Sequence, residues 1–253
     1  MSNELQRAGM WKRIAAWMFD GILLSVIVVG IGVLLSWALG YDGYSAAVDA
    51  GYARYEAEYG VTFEISLEEY EAMTEADRTQ YDAAYEALIA DQEVLYNYNM
   101  MANLTLVIIT LAMLAGLLIW EFFMPLWLGY GQTLGKRIFS ICLVRNDGVK
   151  MNTLQLFART ILGKFAIETM IPVYVLIMLV FGTMDLTGTL ILLGLLVAQV
   201  LCLALTRNHC AIHDLIAGTV VVDKDSQTIF RTTEDLIAWK KKVAAQRATR
   251  EPY

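Results

Sequence analysis

Four blocks of the chain are apolar with few interruptions: Ile14 to Leu39, Leu104 to Leu128, Ala166 to Gly182 and Leu186 to Leu205. Each falls in the range of roughly 17 to 25 residues that a helix needs to cross a hydrocarbon core of about 30 Å. A chain of 253 residues has too little polar surface to cover four such blocks in water, so the pattern predicts four spanning helices. The first block is too long for the apolar part of a cleaved leader, and no small-x-small site follows it before Tyr41, so it reads as a permanent anchor.

The segments between the blocks follow other patterns. Tyr41 to Tyr98 lacks proline and is rich in Ala, Glu and Leu, which predicts a helical insertion. Ser66 with Glu69 has capping-box spacing, Thr74 with Asp77 is a second start signal, and a helix from Thr79 to Tyr98 is expected to run straight into the second span. Its tyrosines recur at helical spacing, as at Tyr52, Tyr55 and Tyr59, which suits rings that glue helices together or rest at the lipid interface. After the second block, Ile138 to Val144 is rich in branched residues and ends on Asn146-Asp147-Gly148, so a β-hairpin is predicted, with Thr219 to Val222 pairing beside it. Thr153 to Lys164 reads as an amphipathic interfacial helix, placing Arg159 and Lys164 against anionic lipid headgroups. Thr233 to Arg250 reads as an exposed basic helix whose Lys240, Lys241 and Lys242 would do the same.

Charge then sets an orientation. The insertion holds 14 acidic residues against Arg54 and Arg78, a local charge of −12 within a chain whose total is −7, so the remainder is +5. Arg7, Lys12 and Arg13, the cations between Lys136 and Lys164, and those after Arg207 flank the spans on what should be one side. The positive-inside rule makes that side the cytoplasm of a plasma-membrane protein, with both termini inside and the insertion outside. The expected fold is an all-α membrane protein: a four-helix transmembrane bundle with an extracytoplasmic helical insertion and a small cytoplasmic β-hairpin or sheet. Its parts are residues 1–40 (N-terminal segment and first span), 41–98 (insertion), 99–223 (three further spans with the hairpin) and 224–253 (basic tail helix). Cys142, Cys202 and Cys210 fall in cytoplasmic or membrane segments, where no disulfide is expected.

Ionisable groups at membrane depth are costly and point to function. Glu121 lies eight residues before Gly129, about 12 Å deep, and Asp20 about 9 Å beyond Ile14. Gln199 and Glu168 reach a similar level, so the four define one polar layer in the inner leaflet. Two readings stay open: crowded carboxylates that share a proton or bind a monovalent cation, or a structural network fed by Arg13, Gln199 and backbone donors. In the first span, Gly21, Ser25, Gly32 and Ser36 lie within about 60° of rotation, a stripe suited to close helix contact. His209, Cys210 and His213 lack a matched second pair of ligands, so no metal is expected. Phosphate loops, dinucleotide fingerprints, serine elbows and zinc-protease helices do not occur, which removes positive support for a catalytic site, a cofactor or a nucleic-acid partner.

Three strings, RIAAWMFD from Arg13 to Asp20, GQTLGKRIFSICLVRNDG from Gly131 to Gly148, and HDLIAGTVVVD from His213 to Asp223, resemble the RDD family of membrane proteins. The resemblance makes Arg13, Asp20 and Asp214 the signature residues, and the acidic insertion lies outside it. It implies an integral membrane protein, with transport suggested for the family, sodium or proton exchange associated with some members, and partnership in membrane complexes with others. It also implies an Arg13 to Asp214 pair tying the first helix to the last, with Asp20 left for another partner. Two functions follow as expectations. One is a cation- or proton-coupled transporter using the layer of carboxylates; the other is a non-transporting scaffold or accessory subunit that binds other proteins. Four short spans make a path through one copy cramped, which a homo-oligomer or a membrane-protein partner would relieve.

Overall fold

The computed structural model describes residues 5–250 except 181, 183, 184, 207 and 208. Arg207, after which the cations of the tail are counted, lies outside the described residues. Among the described residues the chain is mostly helical, with four long apolar helices and one small antiparallel sheet. The long helices are Met10–Ala38 (α1), Gln92–Leu128 (α5), Thr153–Leu179 (α7) and Leu186–Leu205 (α8). Their surfaces carry exposed Trp17, Val26, Val33, Leu190 and Leu196, and in α1 only Ala16 and Asp20 are buried, as expected of helices whose neighbour is lipid. Each apolar block falls on one of these helices, but α5 and α7 begin at Gln92 and Thr153, well before the blocks that start at Leu104 and Ala166.

Two compact units make up the chain, Val29–Ala112 on the one hand and Met1–Val28 with Met113–Tyr253 on the other. In the first, the insertion folds as three helices, Tyr41–Tyr59 (α2), Leu67–Ala72 (α3) and Glu75–Ala90 (α4). The Ser66–Glu69 capping box forms, and the Thr74 hydroxyl caps α4 by accepting from the Asp77 amide at 3.2 Å. Phe63 is the hub of the aromatic packing, with Tyr52, Tyr81 and Tyr85 rings 5.6, 5.7 and 6.4 Å away, so tyrosines here glue helices to one another. The expected unbroken helix from Thr79 into the second span does not form. Asp91 leaves helical geometry between α4 and α5, where its carboxylate accepts from the Glu93 amide at 2.8 Å and from Tyr55 at 3.0 Å and pairs with Arg54 of α2. A carboxylate that caps one helix and grips another is better satisfied than one in a continuous helix.

The second unit is built on the sheet. Strand β1, Ile141–Arg145, pairs antiparallel with β2, Thr219–Asp223, in the register Leu143↔Val221. The alternation splits its side chains between two cores. Ile141, Leu143 and Val221 pack with Ala8, Ala16 and Leu156; Cys142, Val144, Val220 and Val222 pack with Cys210. Arg7 bridges the outer edge of β2 at Val222. The predicted hairpin is reduced to a turn: Arg145 donates to Val149 at 2.9 Å and Val144 bridges Lys150, but the returning arm stops at once. Asn152 with Gln155 forms a capping box that starts α7, so the chain leaves the sheet there and the long-range partner β2 supplies the ladder instead.

Two further expectations need correction. Thr153 to Lys164 is not a separate interfacial helix but the first half of α7, and Arg159 is 2% exposed rather than laid on lipid headgroups. The small-residue stripe of α1 is used at Gly32, where a β-carbon would stand 3.9 Å from that of Ala112, whereas one on Gly21 would meet nothing within 4 Å.

Candidate functional site

The site grows from the loop Gly131 to Lys136, which ends in the short helix α6, Leu134–Ile138. Thr133 is the N-cap, and its hydroxyl donates to Asp20, which is 5% exposed. The same carboxylate accepts from the Gly135 amide at 2.9 Å and from the Trp120 indole N–H at 3.2 Å. A β-carbon at Gly135 would stand 2.5 Å from the Ala16 carbonyl and 2.9 Å from Asp20, so only glycine lets the backbone approach so closely. Asp20 therefore holds the N-terminus of α6 against α1, with uncharged donors as its partners.

One residue after Trp120 lies Glu121, within a stretch of α5 from Leu118 to Phe123 that is wound as a π-helix. The wider turn leaves the Glu121 carbonyl to accept from the Thr160 hydroxyl at 3.1 Å. Its carboxylate meets three cations: Lys136 at 3.2 Å, Arg159 at 3.4 Å, and Lys164. The last two come from α7, which is itself π-wound from Arg159 to Met170. This winding decides the geometry. At 100° per residue Arg159 and Glu168 would lie about 180° apart, on opposite faces of an α-helix. At about 4.4 residues per turn they fall within roughly 20° of one another, with Lys164 roughly 50° from Arg159.

The short helix α9, Ile212–Ala217, closes the arrangement. It lies so near α7 that a β-carbon on Gly163 would stand 2.5 Å from the His213 α-carbon. Asp214 accepts from Arg159 Nε at 2.9 Å, and His213 Nδ1 lies 2.7 Å from Glu168, which also accepts from the His213 amide at 3.2 Å. Because an ionised carboxylate can only accept, that nitrogen carries the proton and Nε2 is left facing Asp214 at 3.6 Å. Burial, and then the Arg159 guanidinium, push the imidazole pKa below its ordinary value, so His213 is neutral at pH 7. Burial opposes the charge on Asp214, yet Arg159 and His213 beside it hold its carboxyl well below the usual range.

Arg13 does not pair with Asp214. Its guanidinium donates to the His209 carbonyl at 2.8 Å, and Asp214 takes Arg159 instead, because Arg159 is presented side-on from α7 while Arg13 leans toward the start of α1. Gln199 of α8 accepts from the Ile212 amide at 3.2 Å and so caps α9. His209 contacts the Leu203 carbonyl and the Cys210 thiol the Thr219 carbonyl, each apart from His213.

A cavity of about 260 Å³ joins these groups, with Asp20, Glu121, Glu168 and Gln199 all in its wall. The four intramembrane positions singled out from depth arithmetic thus meet at one place. The sequence reading missed their partners. Among the described residues, four carboxylates, Asp20, Glu121, Glu168 and Asp214, share the wall with four cations, Arg13, Lys136, Arg159 and Lys164, so these groups balance rather than form a crowd of negative charge. Arg159 and Lys164 looked like surface cations because their spacing matches no single α-helical face; a five-residue period in α7 is the signal that could have gathered them, whereas Lys136 comes from α6 and carries no such signal.

Among family models, the one described as the RDD family matches residues 7–218. No curated protein and no solved structure matches the chain.

Proposed function

This chain belongs to the RDD family over residues 7–218, and from that premise we propose that it is a multi-pass membrane transporter that exchanges a proton for a monovalent cation at the ionic cluster. In this reading the positive flanks put both termini and the sheet in the cytoplasm, and the acidic insertion faces outside a plasma membrane. The observation that carries the proposal is the cavity, whose 260 Å³ has room for roughly eight waters at about 30 Å³ each and whose wall concentrates the ionisable groups of the spans.

The charge balance prescribes the coupling. An incoming cation cannot add to a neutral cluster at membrane depth without a positive charge leaving. Lys164 is the group to lose it, because its ammonium shares the Glu121 carboxylate with two other cations, Lys136 and Arg159, so the carboxylate keeps partners when Lys164 is neutral. A proton given up by Lys164 frees Glu121 for the cation, and His213, bonded to Glu168 with Nε2 toward Asp214, carries the proton onward. One cation then replaces one proton, and no net charge moves. Asp20 holds the frame and takes no part in the exchange.

Purified protein in liposomes loaded with a pH-sensitive dye tests this. An imposed sodium or potassium gradient should drive a pH change that persists when the membrane potential is clamped, and Lys164→Gln should abolish it while leaving the protein folded. Folded wild-type protein that produces no flux in any monovalent gradient would end the transport reading. The second reading, a scaffold or accessory subunit, has one observation on its side: every carboxylate in the cavity wall already has an internal partner, so the network also suffices to fasten α1, α5, α6, α7 and α9 together.

A further inference from the structure

A second pocket, of about 330 Å³, lies where α5 ends and α7 begins, bounded by Pro125, Gly129, Met151 and Thr153. Among the described residues its charged lining is Lys150 and Arg231, with no carboxylate. We propose that this pocket seats the phosphate of an anionic lipid headgroup, a site separate from the exchange cluster.

The cations of the cluster in the cavity wall are engaged, three by carboxylates and Arg13 by a carbonyl. Among the described residues Lys150 and Arg231 enter no ion pair. The backbone sets them side by side, since the Lys150 amide donates to the Phe230 carbonyl at 2.8 Å, one residue before Arg231. The Lys150 ammonium is steadied over the Tyr130 ring, 5.8 Å from its centre, and that ring also takes Lys224 at 5.2 Å. Tyr130 adopts φ 52°, a left-handed conformation that costs an aromatic residue energy and that the loop retains, with the ring packed between the two ammonium groups. Two adjacent cations with free donors and no counter-ion fit a phosphate diester, which offers charge and several acceptors.

The flanks select a lipid over a soluble phosphate. Trp127, 82% exposed, precedes the loop at the end of α5, and Leu154, 73% exposed, follows Thr153 on α7. An indole and an aliphatic side chain on two spans, beside a basic pocket, mark the boundary where headgroups sit and acyl chains leave.

The test is the full chain in phosphatidylcholine nanodiscs containing a minor fraction of phosphatidylglycerol, with the lipid retained on each protein counted by native mass spectrometry. Wild type should retain phosphatidylglycerol in preference to phosphatidylcholine. K150Q and R231Q, both at exposed positions, should each lower that preference about fivefold, while R145Q, whose guanidinium already pairs with Asp147, leaves it unchanged. Wild-type retention in K150Q and R231Q would overturn the site, as would an equal loss of retention in R145Q. Displacement of the lipid by millimolar soluble glycerol phosphate would overturn the assignment to lipid.

Discussion

Replacing Glu121 by Gln removes one negative charge from beneath three cations. The side chain is 5% exposed, with Lys136 at 3.2 Å, Arg159 at 3.4 Å and Lys164 in contact, so the substitution leaves buried positive charge of which Asp214 neutralises the Arg159 part by a direct ion pair. Removing one member of a buried pair costs about 3 to 5 kcal/mol, because the remaining charge keeps its desolvation penalty without its attraction. For a chain of this length each kcal/mol shifts the midpoint by roughly 2 to 4 °C, so the expected fall is about 6 to 20 °C. The assay is the temperature at which half the detergent-purified protein is lost from the monodisperse peak, at one fixed heating time, since membrane proteins seldom refold. Glu121→Gln with Lys164→Gln restores the balance and should recover about 1 to 3 kcal/mol of the loss. A single variant within about 0.5 kcal/mol of wild type, or a double variant no better than the single, would refute the claim that charge balance holds the cluster together.

Other outcomes follow from the same geometry. Gly163→Ala drives a methyl group into the His213 backbone and should cost about 1 to 3 kcal/mol in the same assay, despite the better helix propensity of alanine. Asp20→Asn must turn an amide donor toward the Thr133 hydroxyl, the Gly135 amide or the Trp120 indole, and should cost about 1 to 3 kcal/mol of thermal stability. His213 has a lowered pKa, so the unfolded chain binds its proton more readily than the folded one; stability should be full above about pH 6.5 and fall as the pH drops below it, a slope that His213→Gln flattens in thermal scans between pH 7 and 5. Asp214, lowered as a carboxylate, loses its contribution only below about pH 4, so it adds nothing to that slope.

The parts of this fold that are legible in the sequence are those governed by one period or one local rule. Apolar runs mark the spans, Ser66 and Glu69 mark a helix start, and the branched strings at 138–144 and 219–222 mark the two strands observed at Ile141–Arg145 and Thr219–Asp223. Depth arithmetic brings Asp20, Glu121, Glu168 and Gln199 to a common level because it needs only the rise per residue. Pairing is not legible in the same way. The resemblance implies an Arg13 to Asp214 pair, but α7, π-wound from Arg159, presents Arg159 to Asp214 on the same side as Glu168, which a 3.6-residue wheel would place opposite. Arg159 and Lys164 then look amphipathic and lipid-facing when they are the counter-ions of Glu121. Asp91 shows the same limit in the other unit, where a helix that propensity would continue is broken by contacts from Arg54 and Tyr55, distant in sequence.

Proton release on cation binding tests the central claim most directly. Wild-type protein in weakly buffered detergent solution, given sodium or potassium chloride against a choline chloride control, should release about one proton per chain, and Lys164→Gln should release none. Saturable cation binding with no proton released, or release that persists in Lys164→Gln, would contradict the exchange.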